Sequence, residues 1–229
     1  MLALCVRVGI AGTVADAYPV SPQHPTLAGK GRRRTHPGRR YPGRVIPAPA
    51  EPASPDPSFP RWSRGAFPRY RYVPGRSPHP RGDPRGHSRD RPEPRPERLA
   101  PADWARSPIY LRGVDLFNFA YWWESHEAFE ALWRGAGQRG PEGDFFQGLI
   151  QVAASELKRF SGADAAARAL AERALKRLRG VPSPWFGLDV QRLAREIEER
   201  MAGTRPLPPL LRLAAPPLDA GGRAHGPEG

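Results

Sequence analysis

Thirty prolines and 24 glycines in 229 residues set the first limit on this chain, because a segment dense in both holds neither a helix interior nor a central strand. Their placement divides it. Nineteen of the prolines lie in residues 1–100, and a helical period runs only from about Pro108 to Gly203. The pattern predicts a single compact all-α domain, a bundle of about five short helices over 108–203. Residues 1–57 are Arg-, Gly- and Pro-rich without a period, so they are expected to be a disordered extension. The tail 204–229 reads the same way. Between 58 and 90 the character changes. Phe59, Trp62, Phe67, Tyr70 and Tyr72 are spaced through prolines, which suits an extended arm that docks on the helical domain. Residues 91–107 then read as a linker, stiff and solvated where Arg91 to Arg98 alternates proline with charge.

The formal charge of +13 belongs almost wholly to the first hundred residues, where 19 basic groups face 7 acidic ones, against 17 and 16 in the rest. A basic Pro-rich segment suits a phosphate backbone. Against that, only three of the 36 basic residues are lysines, and Ala, Gly, Pro and Arg are abundant throughout, which looks like a coding bias. Cys5 is the only cysteine, so there is neither an intrachain disulfide nor a Cys-based zinc site. No run approaches the roughly 20 apolar residues that span a bilayer, and the first 17 residues lack the basic start of a signal peptide. A cytoplasmic protein without membrane contact is the expectation.

Ser107-Pro108 marks the first helix start, with Ile109, Leu111, Leu116 and Phe117 as its buried side. A second helix runs from Trp122 to about Arg134 and stops at Gly135 and Gly137, a third from Asp144 to Ser161, and a fourth from Asp164 to Arg179. Asp189 caps the fifth, in which Leu193, Ile197 and Met201 repeat at i+4. On a wheel of about 100° per residue, Trp122, Trp123, His126, Phe129, Glu130 and Trp133 fall within an arc of about 120°. His126 and Glu130 lie at its centre, while Glu124 and Glu127 fall outside and are expected to face solvent.

The string Leu116-Phe117-Asn118, Trp123-Glu124-Ser125-His126-Glu127, Glu130 and Trp133, followed by Gln147-Gly148-Leu149-Ile150-Gln151 and Ala153, resembles the helical domain-of-unknown-function family numbered 309. Pro184 and Gly187-Leu188-Asp189 fit as well, so the resemblance covers about 108–203, and Arg71 to Ser88 looks like an extension carried by some members. That family has glycine where Ala120 stands, so here the first two helices could run together. It prefers alanine in place of Ser125. The resemblance implies a fold and a set of recurrent polar residues, without an activity.

The polar residues admit three readings at His126 and Glu130 and two at Gln147 and Gln151. His126 and Glu130 form a satisfied core pair that fixes helix packing, or they are the polar part of an aromatic-walled binding site. A third reading starts from the zinc-protease helix, with Glu130 in place of its second histidine and a further ligand from His79, His87 or Gln147. Gln147 and Gln151 are either solvent-exposed or complete a polar network with Asn118, with Gly148 letting that helix approach the His126 helix. Ser125 beside His126 is no dyad, because adjacent helix residues point apart. No serine elbow, phosphate loop or dinucleotide fingerprint is present, and no motif names a cofactor, partner or oligomeric state. The leading function is a non-catalytic binding or interaction module using Asn118, Trp122, Trp123, His126, Glu127, Phe129, Glu130, Trp133, Gln147 and Gln151. The alternatives are a metal-dependent hydrolase centred on His126 and Glu130, and an Arg-rich nucleic-acid-binding protein.

Overall fold

The computed structural model describes residues 51–214; of the disorder expected over 1–57 and 204–229, the parts at 1–50 and 215–229 lie outside the described residues, whereas in 51–57 Pro52 is buried and Ser54 Oγ donates to the Asn118 carbonyl at 3.2 Å. Five α-helices follow a short 3-10 helix at Pro101–Arg106: α1 (Pro108–Asn118), α2 (Trp122–Gly135), α3 (Gly140–Phe160), α4 (Asp164–Leu178) and α5 (Val190–Ala202). Each packs on the next in chain order, and the described residues hold two isolated β-bridges but no strand. Local chemistry sets the ends. Ser107 Oγ accepts from the Tyr110 N–H at 3.2 Å and Asp189 Oδ1 from the Arg192 N–H at 2.9 Å, the N-caps of α1 and α5. Helix α3 starts four residues before the expected Asp144. Pro141 sits in its first turn, where no backbone donor is required of it.

Helices α1 and α2 do not run together. The Tyr121 N–H bonds the Leu116 carbonyl at 2.8 Å around Ala120, which takes φ +64, the six-to-one closure usually made with glycine. Alanine keeps the break but carries left-handed strain of roughly 1–2 kcal/mol. Ala120→Gly is therefore expected to raise stability by about 0.5–1 kcal/mol after the loss of one buried methyl. A thermal melt decides it: an unchanged or lower midpoint would mean that the methyl outweighs the strain.

The core is aromatic. Tyr110, wholly buried, meets Phe129, Phe145, Phe146 and Phe186 at ring distances of 6.1–6.5 Å, and its hydroxyl donates to the Phe186 carbonyl at 2.9 Å. Ile109 and Leu111 are only half-buried, and α1 turns Tyr110, Val114 and Phe117 inward instead. Close approaches need small residues: a Cβ on Gly113 would stand 2.8 Å from the Phe129 ring, and one on Gly148 2.8 Å from Leu178. Gly148 thus admits α4 against α3, rather than the His126 helix as the sequence suggested.

Segments without helical period complete the structure. The arm lies on α1 and α2, with Trp62, Tyr72 and Val73 buried. Residues 91–107 are not a free linker. The Glu97 N–H reaches the Ala131 carbonyl at 3.4 Å, Ser107 Oγ donates to Glu97 Oε1 at 2.5 Å, Leu99 is buried, and the 3-10 helix sets Trp104 edge-on to Trp62 and Tyr110. Nor does the chain turn into a tail at 204. Leu210, Leu211 and Leu213 are buried, and Leu188 and Leu213 form a β-bridge.

Candidate functional site

Helix α2 is covered on two sides, by the helices on one and by the arm on the other. Trp122, Ser125, Phe129, Leu132 and Trp133 are buried, and so are Glu124, Ala128 and Ala131. What remains partly open is a stripe of Trp123, His126, Glu127, Glu130 and Arg134, at the spacing of one helix face. One donor atom each from His126, Glu127 and Glu130 lies within 4.8 Å of the others. No hydrogen bond joins His126 to Glu130. His126 Nδ1 is buried without a partner, 3.9 Å from Glu127 Oε1.

The electrostatics follow from that crowding. Burial pushes the Glu127 carboxyl up to about 7, helped by the charge of Glu130 and opposed by Arg81, whose Nε stands 3.3 Å from Glu127 Oε2. His126 is driven below the usual histidine value by burial, with Glu130 pulling the other way. Glu127 is thus part of the cluster, contrary to the exposed position that the wheel gave it.

Glu124 is the larger correction. It is buried, and its Oε1 accepts from His87 Nε2–H at 2.8 Å and from the Tyr72 N–H at 3.2 Å. The wheel left it outside the apolar arc, and the arm comes to cover it there. Since a carboxylate can only accept, His87 Nε2 carries a proton, and Nδ1 is hydrogen-bonded to Ser88 Oγ at 2.8 Å, so both ring nitrogens are used. His79 Nδ1 accepts from the N–H groups of Arg81 (3.2 Å) and Gly82 (3.0 Å), and its ring edge meets Trp123. Burial, and then the Arg81 charge, push His79 below the usual histidine value. Both ring nitrogens of His87 are engaged, and neither arm histidine belongs to the close group of His126, Glu127 and Glu130, so the extra metal ligand weighed from the sequence is not brought to it.

The other expected site residues are elsewhere. Phe129 is core, against Tyr110 and Gly113. Trp122 and Trp133 are buried, each with its indole N–H unpartnered; Trp122 faces Phe160 at 6.4 Å. Gln147 and Gln151 are buried rather than solvent-facing, because α3 is sandwiched between α2 and α4, and Gln151 Oε1 has no partner. The Asn118 amide is not shared with them. Its Nδ2–H donates to the Leu211 carbonyl at 2.9 Å and its Oδ1 accepts the Leu211 N–H at 2.8 Å. Sequence reasoning missed Asp115, wholly buried in α1 and the anchor of the arm, although a carboxylate between Val114 and Leu116 was a signal. It also missed Glu196, which receives Arg192 at 3.1 Å, Arg205 at 3.2 Å and Arg212 at 2.9 Å.

Residues 110–170 match the family model Domain of unknown function (DUF309). The resemblance drawn from the motif was to this family. The matched segment spans nearly all of α1, the whole of α2 and α3, and the first half of α4, so it contains the stripe and both glutamines. It leaves out the arm, α5 and the C-terminal segment that cover it. No curated protein matches the chain. Among the described residues, no helix is long and apolar enough to cross a membrane.

Proposed function

We propose that the DUF309 segment of this chain is a non-catalytic binding module whose site is the α2 stripe of His126, Glu127 and Glu130, rimmed by Trp123. One observation carries the reading: His126 Nδ1 is buried with no partner although two carboxylates stand beside it. Polar groups buried for packing alone are hydrogen-bonded in all but a few cases, as both carboxylate oxygens of Asp115 are here. A group left unpaired beside an open face suits a ligand. Arginines of the arm support packing rather than phosphate contact. Arg71 donates from Nε to the Phe119 carbonyl at 2.8 Å and covers the Tyr121 ring, while Arg81 holds Glu127.

A urea melt of His126→Ala tests it. A structural pair would strand a buried carboxylate and cost on the order of 1–3 kcal/mol. The binding reading expects a change within about 0.5 kcal/mol, because no bond that supports the fold is lost. A loss above about 1 kcal/mol would return His126 to the core and end the reading.

A further inference from the structure

We propose that the occupant of the α2 stripe is a divalent first-row transition-metal ion, held by His126, Glu127 and Glu130. This rests on the binding reading above and gives it a ligand class. The three donors, one nitrogen and two carboxylate oxygens, already lie within 4.8 Å of one another. Around a common ion at roughly 2.1 Å from each, donors stand roughly 3 to 3.5 Å apart, so rotation of two long glutamate side chains closes the difference. The imidazole nitrogen has no competing partner, which spares the ion the loss of a hydrogen bond on binding. An imidazole with two carboxylates favours zinc, cobalt or nickel over the oxygen-only coordination that calcium and magnesium prefer. A helix supplying three ligands on one side leaves the opposite positions open, toward the face that Arg81 borders.

Charge argues the same way. Glu127 stands in the field of two other carboxylates, Glu130 and Glu93, and its ion-pair partner is Arg81, 3.3 Å away. Arg81 comes from the arm, outside the matched segment, and its contact with Glu127 is one that a metal ion would displace. Arg81 is thus a competitor of the ion, and the arm a modulator of its affinity.

The test uses the full chain, purified without a histidine tag and stripped with chelator. Zn2+ is titrated by calorimetry and Co2+ by its visible absorption. One equivalent is expected to bind, with His126→Ala and Glu130→Gln each weakening it by more than the roughly tenfold that loss of an outer hydrogen-bond partner costs a metal site. Arg81→Gln is expected to tighten binding, and Glu198→Gln, on the exposed face of α5, to leave it unchanged. Zn2+ affinity that survives both His126→Ala and Glu130→Gln, or a wild-type chain that takes up neither ion, overturns the proposal. If no ion binds while His126→Ala unfolds at the urea concentration of the parent, the metal falls and the binding site stands. If His126→Ala unfolds at clearly lower urea, the site itself falls.

Discussion

Asp115→Asn is expected to loosen the whole arm and to lower the free energy of unfolding by about 3 kcal/mol, a large share of what a domain of this size has to lose. Asp115 is fully buried on α1. Its Oδ1 accepts the Trp62 N–H at 2.8 Å, and its Oδ2 accepts the Ser63 N–H at 2.8 Å and the Ser63 hydroxyl at 2.6 Å. Three donors converge on a group that can only accept. An amide has one accepting oxygen, so whichever way it is turned its NH2 meets a donor head-on. At least one backbone N–H is then left buried and unpaired, and the Trp62 ring that packs edge-on to Trp104 loses its register. Ser63→Ala removes a single donor and is expected to cost only about 1 kcal/mol. Urea melts give both values, and limited trypsin digestion gives the location, since Arg64, Arg69 and Arg76 become cleavable once the arm is free. An asparagine variant with the parent's melt and digestion pattern would mean that the arm is held by its ring contacts alone.

How much of this was legible in the sequence depends on whether the information is local. Helix starts at Ser107-Pro108 and Asp189 and the stop at Gly203 are written in neighbouring residues, and they stand where the cap rules put them. The start of α3 was misplaced because Gly140-Pro141-Glu142-Gly143 has the composition of a loop. Gly143 is used there for close packing, since a Cβ on it would come within 2.9 Å of the Gln138 backbone. The pairing of His126 with Glu130 in one cluster also follows from spacing along a helix. Burial of Glu124 does not. A helical wheel assumes one covered side, whereas α2 has two, and the second cover is an extended segment with no period to detect. Gln147 and Gln151 were misjudged for a related reason: a helix between two others is buried all round, and its polar residues cannot be sorted by angle. Contacts across long stretches of chain, such as His87 to Glu124 or Leu211 to Asn118, have no local trace.

That last contact carries the other large expectation. The chain ended after Gly203, where helical periodicity stops, is expected to lose its cooperative melt, although every helix remains. Residues 204–214 bury Leu210, Leu211 and Leu213, each contributing roughly 1.5–3 kcal/mol, so their removal costs most of a typical domain's stability. The segment also closes two polar side chains that the helices alone leave open. Glu196 Oε2 accepts the Leu210 N–H at 3.1 Å, and Asn118 meets both the N–H and the carbonyl of Leu211. Substitution at Asn118 separates this clasp from the apolar burial. Asn118→Ala strands the Leu211 N–H and carbonyl in a fully buried site, and is expected to cost about 2–4 kcal/mol in the full chain. Asn118→Asp keeps an acceptor for the N–H but sets an anionic oxygen against the carbonyl. It should be about as damaging as alanine at neutral pH and recover part of the loss in acid, where a protonated carboxyl can donate to that carbonyl. Denaturant melts at the two pH values decide the matter: equal losses for Asn118→Asp throughout would mean that the clasp adds little, and a shortened chain that still melts cooperatively would show that the five helices hold without it.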